Sequence, residues 1–98
     1  MRVYTEAVQF KADQKLIDFI DQKLKKMEHY FDRIIEARVV LKLENSGRVR
    51  DKIAEVRLNV PGDTLVVKHS SKTFEASIDN AVGSLKRLLI RHKEKVRG

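Results

Sequence analysis

The sequence predicts an α+β domain in which two helices pack on one face of a four-stranded sheet, in the order β-α-β-β-β-α. Three observations lead there. Two segments carry apolar residues at three- and four-residue spacing, the period of a helix. Three segments between them alternate apolar and polar residues with the period of a strand. The connections between those strands are short and carry Gly or Pro, which favours an antiparallel meander with one face left to be covered.

Arg2 to Ala7 alternates weakly and reads as a short strand, with Phe10 as an apolar anchor after it. From Asp13 to Phe31, the residues Leu16, Ile17, Ile20, Leu24, Met27 and Phe31 form one helical stripe. Ala12 or Asp13 opens this helix, an acidic residue suiting the positive end of its dipole. Ile35 to Glu44 puts Ala37, Val39, Leu41 and Leu43 on one face, and Arg38, Lys42 and Glu44 on the other. Asn45-Ser46-Gly47 signals a turn. Asp51 to Val60 repeats the alternation, with Ala54, Val56, Leu58 and Val60 inward. Pro61-Gly62 suits the centre of a type II turn, since Pro sets the first φ and Gly permits a positive second one. Thr64 to His69 is the last strand. Thr73 is the N-cap of a long second helix, on which Phe74, Ile78, Ala81, Val82, Leu85, Leu88, Leu89 and Val96 make the stripe that covers the sheet.

With 98 residues the chain reads as one domain, 1–98, long enough for a single core. No apolar run approaches the ~18 residues of a membrane span, and the N-terminus has no signal-peptide pattern. The expectation is a cytoplasmic protein with no membrane partner. Cysteine is absent, which excludes disulfides, thiolate catalysis and the usual zinc frameworks. His29, His69 and His92 are scattered without carboxylates at ligand spacing, so no metal site is expected. Ser46, Ser70, Ser71 and Thr73 suit turns and caps, and four glycines are too few and too dispersed for a phosphate-cradling loop. No constellation supports chemistry. The sequence predicts a protein that is not an enzyme, with no catalytic residue, cofactor or small-molecule substrate.

Charge is the feature that points to a partner. Lys and Arg number 21 against 14 acidic residues, a net +7. From Lys86 onward stand Lys86, Arg87, Arg91, Lys93, Lys95 and Arg97 against Glu94 alone, so +5 of the total lies in the last thirteen residues. At ~100° per residue, Lys86, Lys93 and Arg97 line one side of the apolar stripe, and Arg87, Arg91 and Lys95 the other. The helix dipole favours cations only in the last turn and leaves Lys86 and Arg87 unexplained. On the first helix Lys15, Lys23 and Lys26 share a flank with Phe19 and Tyr30, while Asp18, Asp21 and Glu28 lie opposite, with Lys25 near them. Such segregation favours phosphate binding over a plain solvated face. Tyr30 reads first as a plug at the edge of the core, with base stacking as the alternative. Ile90, pointing away from the stripe, needs no functional explanation.

The run Lys23-Leu24-Lys25-Lys26-Met27-Glu28-His29-Tyr30-Phe31-Asp32-Arg33-Ile34 resembles the first-helix end of hibernation-promoting factors, also called the protein Y or sigma-54 modulation family. Phe74 to Asp79, Leu85-Lys86-Arg87 and Arg91 to Lys95 are similar to that family's second helix, and the element order matches too. The resemblance implies binding to ribosomal RNA in the decoding channel of the small ribosomal subunit. Messenger and transfer RNA would be occluded there and the ribosome stored inactive, in stationary phase or stress. It assigns basic contacts to Lys23, Lys26, Arg87, Arg91, Lys93 and Lys95, with Lys25 and Lys86 as additional charges near them. Ser84 stands where many members have Lys, with Lys86 expected to compensate. Leu88 stands where many have Gln, and Glu75 replaces a common Tyr. Ending at Gly98, the chain resembles the short form of the family, for which a small separate ribosome modulation factor is a further partner. Two other readings remain: a generic double-stranded-RNA binder, and a protein-interaction module that pairs through an edge strand or the outer sheet face.

Overall fold

The computed structural model describes the backbone of residues 1–46 and 49–97, and the side chains of 1–44 and 51–95. Strands β1 (Arg2–Ala7), β2 (Glu36–Ser46), β3 (Val49–Val60) and β4 (Asp63–Ser71) lie side by side in that order. Helix α1 (Gln14–Lys25) continues into a 3₁₀ turn (Lys26–His29), and α2 (Phe74–Arg97) closes the described chain. The predicted order and strand number hold.

The meander of β2, β3 and β4 is antiparallel, with Val39, Val56 and Val67 facing one another across it. β1 joins β2 in parallel, Val3 opposite Ala37 and Thr5 opposite Val39. Parallel neighbours need a crossover connection, and α1 supplies it. Ladder pairing carries the strands past the ends that alternation alone suggests. Asn45 and Ser46, assigned to a turn by their composition, extend β2 opposite Arg50 and Val49. The third residue of that expected turn, Gly47, lies with Arg48 outside the described residues. Ser70 and Ser71 likewise extend β4 opposite Ile53 and Lys52. At the β3–β4 hairpin Gly62 takes φ +80°, the value a type II turn requires after Pro61.

The first helix is shorter than its apolar stripe. After Lys25 the chain tightens into the 3₁₀ turn, and the amides of Tyr30 and Phe31 both donate to the Met27 carbonyl. Phe31 therefore leaves the helix and meets the His92 ring edge-on, 5.5 Å between centroids. The helix starts are those the sequence marks. Asp13 Oδ1 accepts from the Leu16 amide at 2.8 Å, and Thr73 Oγ1 from the Ala76 amide at 3.1 Å. Phe10 stacks flat on Phe74 at 5.1 Å, anchoring the loop before α1 to the start of α2.

The core lies between the helices and the inward sheet face. Leu16, Ile20, Leu24 and Met27 meet Ala37, Val39, Leu41, Ala54, Val56 and Leu58, and α2 adds Phe74, Ile78, Ala81, Leu85 and Leu89. Val82 and Leu88 are half-buried at its margin, and the Val96 side chain lies outside the described residues. Ser77 is a buried hydroxyl within the α2 stripe. It donates to the Lys52 carbonyl at 2.6 Å, which removes the cost of burying it and fixes α2 against β3.

Gly83 interrupts α2, and a Cβ built there meets nothing within 4 Å. Glycine in mid-helix costs roughly 0.5–1 kcal/mol relative to alanine. Gly83→Ala therefore raises stability by about that amount, read as a higher midpoint in urea at unchanged slope. A lower midpoint would mean that the helix needs the glycine.

Candidate nucleic-acid interface

α2 lies beside α1 on one flank and over β4 on the other, and its cations divide between these two sides. On the α1 side, Lys86 Nζ sits 4.5 Å from the centre of the Tyr30 ring, and Lys93 Nζ donates to the Tyr30 carbonyl at 2.8 Å. The carbonyl is one that the end of the 3₁₀ turn leaves open, so Lys93 caps it across the helix pair. Tyr30 is 39% exposed and lies outside the core cluster. Its expected role as a plug is corrected: it is a platform carrying Lys86, and Phe31 with His92 seals that edge instead.

Lys23 shares this side, but its ammonium is engaged. It pairs with Asp79 Oδ1 at 3.1 Å and lies 5.4 Å from the Phe19 ring centre, tying α1 to α2. Lys26 is exposed in the first position of the 3₁₀ turn and forms no ion pair among the described residues. Lys25 stands apart. It turns to the opposite flank of α1 and pairs with Asp21 at 2.9 Å. The Arg97 side chain lies outside the described residues.

On the β4 side, Arg87 Nη2 donates to Ser84 Oγ at 3.1 Å, and that hydroxyl is 2.7 Å from His69 Nε2 on β4. Ser84 therefore links Arg87 to the sheet. Lys86, expected to compensate for the serine at position 84, faces Tyr30 on the other flank of α2. Arg91 and Lys95 are exposed beside a shallow hollow lined also by Asp63, Leu65, Leu88 and His92. His92 Nδ1 lies 3.8 Å from Asp63 Oδ2, the nearest acid described there. Neither Arg91 nor Lys95 forms an ion pair among the described residues.

The structure thus brings Tyr30, Lys86 and Lys93 to one cationic flank and Arg87, Arg91 and Lys95 to a second, with α2 as the ridge between and Lys26 exposed on the 3₁₀ turn that leads to Tyr30. Flexible ammoniums on one side, and two forked guanidiniums with one ammonium on the other, suit a run of phosphates more than a single anion. Sequence reasoning missed the Lys23–Asp79 bridge and the Ser84–His69 link. The flank of Asp79 was readable, because it lies seven residues before Lys86, but its pairing with Lys23 depends, like the second link, on tertiary placement. Among the described residues there is no cluster of metal-ligating side chains and no helix long and apolar enough to cross a membrane.

Comparison with known proteins bears on the family and the fold. The chain is similar to the Ribosome hibernation promoting factor of Azotobacter vinelandii, 33% identical over 95 residues, which covers 97% of this chain and 85% of the relative. Its fold matches a ribosomal subunit interface protein from Coxiella burnetii with a TM-score of 0.84, at 17% identity over 96% of this chain and 99% of the other. It also matches the N-terminal domain of Thermus thermophilus Protein Y, with a TM-score of 0.75 and 25% identity over 93% and 94% of the two chains. The family is one of binding proteins and not of enzymes, in line with the absence of a catalytic constellation in the sequence. Residues 3–97 match the model described as Sigma 54 modulation protein / S30EA ribosomal protein, and the chain belongs to that family.

Proposed function

We propose that the chain is a cytoplasmic ribosome hibernation factor, which binds ribosomal RNA in the decoding channel of the small subunit and blocks messenger and transfer RNA sterically. The observation that carries the reading is the pair of exposed cationic flanks on α2, one resting on Tyr30 and the other linked to β4 through Ser84. These charges exceed what α2 needs for its own stability, since like charges along a helix repel and the dipole favours only those in the last turn. Family membership supports the ribosome as the polyanion. Lys26, Lys86, Arg87, Arg91, Lys93 and Lys95 contact phosphate. Lys23 and Lys25, held in ion pairs, contribute background charge, and Tyr30 holds Lys86 in place. Binding of this kind stores ribosomes in stationary phase or stress, with a small modulation factor as a further partner.

Co-sedimentation with purified ribosomes and separated subunits, across a salt series, tests the reading. Six phosphate contacts give a log–log slope of about −4 to −5. The expected result is stoichiometric binding to the small subunit and whole ribosome, displaced by transfer RNA. Equal affinity for any RNA duplex would favour a generic double-stranded-RNA binder, and salt-insensitive self-association without ribosome binding a protein-interaction module.

A further inference from the structure

The sheet face turned away from the helices carries an arrangement that the fold does not require. Arg38 on β2 and Arg57 on β3 stand directly opposite each other in the ladder. Like charges directly across a strand pair are destabilising, and Arg57 has no ion-pair partner among the described residues. The same row begins with Tyr4 on β1, opposite Arg38, and ends with Val66 on β4, opposite Arg57. Tyr4 is 41% exposed, and the Arg38 guanidinium lies 4.8 Å from its ring centre. Arg2 stands two residues before Tyr4 on the same exposed face of β1, and hydrogen bonding to Tyr4 raises its guanidinium above the ordinary pKa. Beside the ring is an open hollow lined by Met1, Arg2, Tyr4, Ile35, Glu36 and Arg38, with Ile35 58% exposed. The acid in the hollow is already engaged: Glu36 accepts from Asn59 at 3.1 Å and pairs with Arg38 at 3.2 Å. Glu6 and Glu55 lie one row further along the sheet and face Val40 between them.

An exposed aromatic ring, a guanidinium plane over it, an open hollow with Ile35 beside it and two further arginines are the parts of a single-strand site. Such a site stacks an unpaired base and neutralises the phosphates on either side. An acidic peptide would use the arginines but has no need of the ring or the hollow. We propose that this open sheet face binds an unstacked base of a single-stranded RNA segment. The base lies in the hollow against Tyr4 and Arg38, with its flanking phosphates on Arg2 and Arg57. The proposal rests on the ribosomal-RNA reading and deepens it. The helical flanks and the sheet face lie on opposite sides of a molecule only 18 Å across its shortest axis. RNA would therefore hold the protein from both sides, as in a cleft.

Tyr4→Ala and Arg57→Glu test this in the full chain, with Tyr4→Phe as the conservative variant and Arg91→Glu as the helical reference. The probes are small ribosomal subunits, a labelled single-stranded RNA 12-mer and the matching duplex. Tyr4→Ala is expected to weaken binding to subunits and 12-mer about tenfold. Tyr4→Phe keeps most of the affinity, and the wild-type preference for single strand over duplex disappears with the ring. Arg57→Glu is expected to raise the melting temperature, because it turns a repulsive cross-strand pair into an attractive one, and to lower affinity at the same time. Normal subunit binding by Tyr4→Ala and Arg57→Glu, with Arg91→Glu impaired, would overturn the sheet site and leave the helical reading standing. Full binding by all three variants would remove both. Loss of subunit binding with unchanged 12-mer binding would mean that a protein covers this face, and would also overturn the proposal.

Discussion

Replacing Arg87, Arg91 and Lys95 together by glutamate lowers ribosome affinity by about three orders of magnitude and leaves the protein folded. A net contact to a charged group contributes about 1.5 kcal/mol at the low end, so three lost contacts remove roughly 4–5 kcal/mol. Introducing repulsion in their place makes this a minimum. All three side chains are exposed, and of the three only Arg87 gives up an internal bond, the one to Ser84. The cost to the helix comes from acids near its C-terminal end, about 0.3–1 kcal/mol each, partly offset by relieving repulsion among the cations. Equilibrium binding at several salt concentrations checks the claim twice. Affinity falls, and the log–log slope shrinks by about 2–3 units, because three fewer counterions are released per event. A parallel fall in affinity and melting temperature, or an unchanged slope, would show that these residues serve the fold and do not touch phosphate. Lys93 is left out of the set because its bond to the Tyr30 carbonyl would confound the two effects.

Leu85→Ala has the largest expected effect on stability. Leu85 is fully buried where α2 meets the sheet, and Ile78, Ala81 and Leu89 of the same stripe are fully buried beside it in sequence. Truncating a buried leucine costs about 2–5 kcal/mol, the lost transfer energy plus that of the cavity left behind. A domain of this size has roughly 5–15 kcal/mol in total. Taking ~3 kcal/mol, the melting temperature falls by about 12–24 °C. Calorimetry reads it directly, and a fall of less than about 4 °C would mean that α2 is not fixed by this stripe. The consequence reaches the binding surface, since the cationic flanks keep their positions only while the helix stays seated.

Period alone made most of the architecture legible. Of the residues expected inward on β2 and β3, Ala37, Val39, Leu41, Ala54, Val56, Leu58 and Val60 are buried, and Leu43 near the end of β2 is half-buried. A two-residue alternation leaves no other face to choose. Ends were less legible. The stripe of the first helix continues through Phe31, but spacing cannot distinguish an α turn from the tighter 3₁₀ turn that starts at Lys26. Asn45 and Ser46 have turn composition, yet partners on β3 keep them in the ladder. For the candidate interface, the division of the α2 cations into two flanks follows from helix geometry and was readable. Which of them are engaged was not. Lys23 pairs with Asp79, 56 positions away in the chain, and Tyr30 meets Lys86 and Lys93 through packing that no local pattern encodes. The outer sheet face was readable as polar but not as a row, because opposing Arg38 to Arg57 requires the register of the hairpin.

The parallel pairing of β1 orders events in time. β2, β3, β4 and α2 are consecutive, and each can dock on the element made just before it. β1 is made before β2, its one neighbour among the described strands, which begins at Glu36. The strand must wait through the synthesis of α1 and then close a loop of nearly thirty residues, whose entropic cost has to be met before any ladder bond repays it. During that interval Val3, Thr5 and Ala7 lie unprotected on a nascent chain. The parallel edge is therefore also the slowest seam of the fold, the place where synthesis and assembly run in opposite order.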